Sequence, residues 1–128
     1  MSSWVTKGVG AITLFVEDLA TTKAFYAEVF GLPLIHEDDD SAVFDFGNAV
    51  INLLRTAAAT ELVEPATPGG PGDGPRVQLT LAVADVDAVS AGLTARGVEL
   101  LNGPMDRPWG IRTASFRDPA GHVWEIAQ

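Results

Sequence analysis

Ile12-Thr13-Leu14-Phe15-Val16-Glu17-Asp18-Leu19 returns, 67 residues later (79 minus 12), as Leu79-Thr80-Leu81-Ala82-Val83-Ala84-Asp85-Val86. Self-similarity at a fixed offset means that one supersecondary unit has been used twice. In the first copy Ile12, Leu14 and Val16 alternate with Ala11, Thr13 and Phe15, the period-2 pattern of a strand with one face on a core. Asp18 then precedes a run in which Leu19, Ala24, Phe25, Val29 and Phe30 recur near helical spacing, and its carboxylate can accept bonds from the orphan amides of the first helical turn. Gly31 suits the left-handed position that ends a helix, and Pro33 keeps the helix from resuming.

Working outward, strands are expected at about Leu34–Glu37, Ala42–Phe46 and Ala49–Leu54, separated by Asp38-Asp39-Asp40 and by the Gly47-Asn48 turn signal. The second copy also leads into a helix ended by glycine, Gly97. It closes on Phe116-Arg117-Asp118-Pro119-Ala120-Gly121-His122 and a final strand through Glu125. The fold class is therefore α+β, built as βαβββ twice: module 1 over about residues 8–55 and module 2 over 76–128. Residues 56–75 are Ala-rich, then dense in proline and glycine, and read as a linker that cannot continue a strand or helix for long.

Composition narrows the function. A chain of 128 residues is one domain in size, long enough to bury roughly 65–70% of its unfolded surface. Hydrophobic residues at 47% and charged residues at 20% are ordinary for a packed protein. Lys plus Arg number 8 against 17 Asp plus Glu, for a net charge of -9, so neither nucleic acid nor an anionic membrane surface is an expected partner. The absence of cysteine excludes disulfides, thiolate metal sites and thiol nucleophiles. No stretch approaches the ~20 apolar residues of a membrane span, and a cytoplasmic location is expected.

Taken in order, Leu14-Phe15-Val16-Glu17-Asp18-Leu19, Phe25-Tyr26, Phe30-Gly31-Leu32, the repeated Leu81-Ala82-Val83-Ala84-Asp85-Val86, and Phe116-Arg117-Asp118-Pro119-Ala120-Gly121-His122 leading to Glu125 resemble the vicinal oxygen chelate superfamily. That family includes glyoxalase I, extradiol dioxygenases and the bleomycin-resistance proteins, and the likeness covers essentially the whole chain. It implies curved mixed sheets around a concave cleft, usually completed in a homodimer. It does not by itself imply an activity, since the fold hosts lyases, oxygenases and pure binders.

The resemblance also implies where a metal would be held, on the first and last strands of each module. Those positions are Ala11, Asn52, Gln78 and Glu125. Only Glu125 is a conventional ligand; an alanine supplies no donor, and the amides of Asn52 and Gln78 are neutral. Neither a metal nor a cofactor is expected. His36 beside its acidic run and His122 in a turn have no nucleophile partner, and Gly69-Gly70-Pro71-Gly72 lacks the strand, helix and lysine of a phosphate loop.

Alternation places Ala11, Thr13, Phe15, Asn52, Leu54, Gln78, Thr80, Ala82 and Glu125 on the cleft side. Phe44 and Phe46 share one face of a strand and either line the cleft or fill the core. Trp109 lies in Arg107-Pro108-Trp109-Gly110-Ile111-Arg112, which looks like the segment before the final hairpin of bleomycin-resistance-type proteins, where the tryptophan helps wall the ligand cleft; a core position is the other reading. Arg112 is either a cation at the cleft mouth or paired with Glu99 or Asp106 on the surface. The expected ligand-binding set is thus Trp109, Phe44, Phe46, Phe15, Asn52, Leu54, Gln78, Thr80, Arg112 and Glu125, with no catalytic residue. The expected function is sequestration by a homodimer of a bulky aromatic natural-product antibiotic. The alternatives are a metal-dependent lyase, isomerase or dioxygenase using Glu125 and Gln78, and a regulatory subunit without a small ligand.

Overall fold

The structure is a computed structural model and describes residues 3–5 and 7–128. It divides into two compact units, the first running to Pro68 and the second spanning Gly69–Gln128. In the first unit β1 (Ala11–Val16), α1 (Leu19–Val29), β2 (Leu34–Glu37), β3 (Ser41–Asp45) and β4 (Val50–Arg55) are followed by α2 (Thr56–Val63). The second unit repeats the plan with β5 (Gln78–Ala82), α3 (Val86–Ala95), β6 (Leu100–Asp106), β7 (Arg112–Arg117) and β8 (Val123–Ala127). Sheet orders are β1-β4-β3-β2 and β5-β8-β7-β6. In each, the first strand runs parallel to the last, and the remaining pairs are antiparallel.

The repeated aspartates explain why the motif recurs. Asp18 accepts from the Thr21 amide at 3.0 Å and the Thr21 hydroxyl at 2.8 Å, which holds its carboxyl below the usual carboxylate range. Asp85 accepts from the Ala88 amide at 3.0 Å. Each strand is thus followed by an N-cap aspartate whose side chain satisfies an orphan donor of the helix, a contribution of roughly 1 kcal/mol. At the other end of α3, Gly97 at φ +81° donates to Thr94 and Val98 donates to Leu93, the paired closure that a left-handed residue makes possible.

The start of the region read as a linker forms α2. Ala57, Ala58 and Ala59 carry the highest helix propensity, the helix touches β4 and β1, and Ala59 is fully buried. Helix ends at Val63 because Pro65 disfavours helical geometry in the residue before it.

Helix α1 packs on β3 and β4, and α3 packs on β6 and β7. The core of the first unit gathers Tyr26, Phe44, Ile51 and Leu53; that of the second gathers Val86, Phe116, Trp124 and Ile126. Trp124 is buried on the helix side, as the parity opposite Glu125 requires. Gly103, at φ +84°, lets β6 approach β7: a Cβ there would overlap the Thr113 carbonyl oxygen. Among the described residues no helix is long and apolar enough to cross a membrane.

Candidate functional site

Each helix covers one face of its sheet, so strand parity decides which side chains reach the opposite face. In the first unit the registers set Thr13, Asn52, Val43 and His36 in one row of that face, and Phe15, Leu54 and Ser41 in the next. The amide of Asn52 donates from Nδ2 to the Thr13 hydroxyl at 3.4 Å. Its Oδ1 is buried and makes no hydrogen bond among the described residues. Leu54 is 8% exposed, whereas Phe15 is half-buried.

The second unit carries the same design with different chemistry. Thr80, Glu125, Ser115 and Asn102 form one row on the face opposite α3, and Ala82, Ala127, Thr113 and Met105 form the next. Thr80, the repeat-mate of Thr13, donates to Glu125 Oε1 at 3.0 Å. Gln78 lies beside Val123 at the margin of a hollow of about 360 Å³ that Asn102, Ser115 and Arg76 also line.

Two parts of the expected set lie elsewhere. Phe44 is 1% exposed, with its ring 5.8 Å from Tyr26 of α1, and Phe46 meets Phe30 edge-on at 5.3 Å. Both pack beneath the helix, because Phe44 stands opposite Ile51 in register and shares its face. The sequence showed a shared face but left its side open.

Arg112 is the second correction. Its parity matches Ala114 and Phe116, so it points to the helix side, where Nε and Nη2 donate to the two carboxylate oxygens of Asp87 at 2.9 Å each. Nη1 adds Asp106 at 3.1 Å. Hydrogen bonding from Arg112 holds the Asp87 carboxyl below the usual range, and the two carboxylates raise the guanidinium in return. The expected Asp106 pair is present, but Asp87 is its stronger partner and the group does not serve the open face.

Trp109 is 68% exposed, which excludes the core reading. Arg107, Pro108, Trp109 and Gly110 form a tight turn, closed by the Gly110 amide on the Arg107 carbonyl at 3.0 Å. Proline presets the second position, and Gly110 at φ +96° accepts the left-handed fourth. The residue that sequence reading missed is Arg107. Its Nε donates to Thr113 Oγ1 at 2.8 Å and its Nη2 to Asn102 Oδ1 at 3.0 Å, both acceptors on the face opposite α3, where Thr113 is buried and Asn102 exposed. The guanidinium carbon lies 6.0 Å from the Trp109 ring centre, within reach of a cation–π attraction. Strand parity at Arg112 and adjacency to Trp109 were the signals that could have moved the cation from Arg112 to Arg107.

The polar turns are self-contained. Asp38 accepts from the Asp40 and Ser41 amides at 2.9 and 2.8 Å and lies 3.3 Å from His36, contacts that lower its carboxyl. Buried Asp118 accepts from the Ala120 and His122 amides, both at 2.9 Å, fixing the turn before β8.

Comparison with known proteins agrees with this architecture. The family model described as the Glyoxalase/Bleomycin resistance protein/Dioxygenase superfamily matches residues 8–126. The uncharacterized protein YraH of Bacillus subtilis is 34% identical over 119 residues, covering 90% of this chain and 93% of that protein. Virulence protein STM3117 of Salmonella typhimurium is 31% identical over 120 residues, covering 91% and 81%. A solved structure of a glyoxalase/bleomycin resistance protein/dioxygenase from Nocardioides superposes with a TM-score of 0.86 at 26% identity, over 99% of this chain and 85% of that one. With two βαβββ units, repeat aspartates that cap both helices and a matching family model over nearly its whole length, the chain belongs to the glyoxalase/bleomycin resistance protein/dioxygenase superfamily.

Proposed function

We propose that this chain is a non-catalytic binding protein that sequesters a bulky aromatic natural-product antibiotic, of bleomycin-, mitomycin- or enediyne-like character, in the cytoplasm. The observation that carries the reading is Trp109, an indole 68% exposed yet held in a closed turn beside a face of amides and hydroxyls. A flat apolar surface with an N–H handle suits a planar ligand. Sequestration needs only affinity and abundance.

The donor set weighs against metal catalysis. At the four family ligand positions stand a methyl group, two neutral amides and one carboxylate, and the carboxylate already accepts a hydroxyl from Thr80. Tight transition-metal sites that do chemistry use about three good protein ligands. These residues do not fit such a site.

The test is a thermal-shift panel of antibiotics and planar aromatics, run beside metal analysis of the purified protein. A stabilising aromatic ligand that is recovered chemically unchanged supports the reading; turnover of that ligand sinks it. The same proposal holds that two chains pair to complete two equivalent sites. A sedimenting species near 13.5 kDa with full ligand affinity would refute the pairing.

A further inference from the structure

Among the described residues, Arg55 and Arg112 bond to carboxylates. Arg107 is handled differently. It is half-buried and fixed at two of its five N–H donors by neutral oxygens, the Thr113 hydroxyl and the Asn102 amide. Those bonds use Nε and one hydrogen of Nη2. They orient the guanidinium without cancelling its charge, and leave the Nη1/Nη2 edge, three N–H groups, uncommitted by them. That edge has the fork geometry that matches a carboxylate at two points. In a chain with 17 acidic residues, a cation aimed by neutral groups beside an exposed indole is a local reversal of sign.

Resting on the sequestration reading, the geometry points to a carboxylate-recognition site on the open face of the second unit: Arg107 grips the carboxylate of a planar aromatic ligand while Trp109 covers its ring. Thr113 and Asn102 act as positioning residues, since they hold the guanidinium and leave its outer edge to the ligand. Asp106 does not compete, because its carboxylate bonds Arg112, whose side chain lies on the helix side. Specificity follows from the charge-assisted pair, because an uncharged isostere leaves the guanidinium desolvated and poorly matched.

The experiment titrates the full chain by calorimetry with 2-naphthoate and with 2-naphthamide, which present the same ring with and without the charge. We expect the carboxylate to bind at least tenfold more tightly than the amide, with an affinity that falls as salt rises. Arg107→Gln should remove that preference, bringing carboxylate affinity down to within about twofold of the variant's own amide affinity, with a cooperative thermal melt showing that the variant is folded; Arg107→Lys should recover only part of it. Equal affinities for the two probes, or an Arg107→Gln variant that keeps the preference, overturn the carboxylate site and leave sequestration standing. Failure of both naphthalene probes, with the antibiotic panel still giving a ligand, also overturns this site alone. Failure of probes and panel together overturns both readings.

Discussion

Replacing Trp109 with alanine separates a ligand wall from a structural tryptophan, because the two roles predict opposite balances of stability and binding. The ring is 68% exposed, so about a third of it is covered. A fully buried tryptophan removes roughly 200 Å² from water, so that third is about 65 Å², an upper estimate of ~1.6 kcal/mol at ~25 cal/mol per Å². The exposed cation–π contact with Arg107 is included in the same modest range, at about 0.5–1 kcal/mol. The ligand-free variant should therefore melt less than about 8 °C below the parent. Core truncation of an aromatic costs more, about 3–5 kcal/mol. Binding should suffer differently: stacked aromatics in desolvated sites contribute on the order of 2–4 kcal/mol, so affinity for the ligand found by the panel should fall roughly 30- to 700-fold. Differential scanning calorimetry of the free variant, set beside calorimetric titration with that ligand, gives both numbers. A variant that melts far below the parent while its folded fraction binds normally would refute the assignment.

The remaining predictions use the same logic. Phe44→Ala, at a ring 1% exposed against Tyr26, should destabilise by about 3–5 kcal/mol in urea titration. Glu125→Gln should leave stability within about 0.5 kcal/mol, since glutamine still accepts from Thr80, and purified protein should carry substoichiometric transition metal. Stoichiometric metal lost on that substitution would contradict the donor argument. Asp87 has its folded-state carboxyl below the ordinary 3.8, so its contribution is complete above that value and is lost as pH falls through the depressed one. Asp87→Asn should accordingly flatten the acid limb of the melting temperature below about pH 4, and an unchanged limb would exclude the Arg112 pair as its source.

How much of this was legible beforehand depends on which signals are local. Strand 1, the cap at Asp18 and the stop at Gly31 rest on spacings of one to four residues, and they appear where the pattern put them. So does the sharing of one face by Thr80 and Glu125, which requires only a repeat and two parities. Helix α2 was obscured because Pro65, Pro68 and Gly69 dominate the composition of its region, while three successive alanines decide the first two turns. The side that Phe44 takes is open in the sequence for a deeper reason. Parity within a strand says which residues share a face, whereas the side that face takes depends on its register with β4, a relation across sequence. Arg112 divides along the same line: its pair with Asp106 is close in sequence and is present, whereas its other partner, Asp87, is 25 residues distant on α3.

The repeat finally explains why chemistry and fold part company here. Thr13 and Thr80 occupy equivalent places on the first strand of each unit and bond across to the last strand, yet they meet Asn52 in one case and Glu125 in the other. An amide and a carboxylate have similar size, so the sheet geometry tolerates either, and the strand registers around them remain alike. What changes is charge. One unit presents the Asn52 amide at this place, while the other presents a carboxylate with Asn102 at the far end of its row, the residue that helps aim Arg107. Two copies of one scaffold thus carry different polar surfaces through a handful of positions on one face, and selection on ligand can act there without disturbing the helix-covered core.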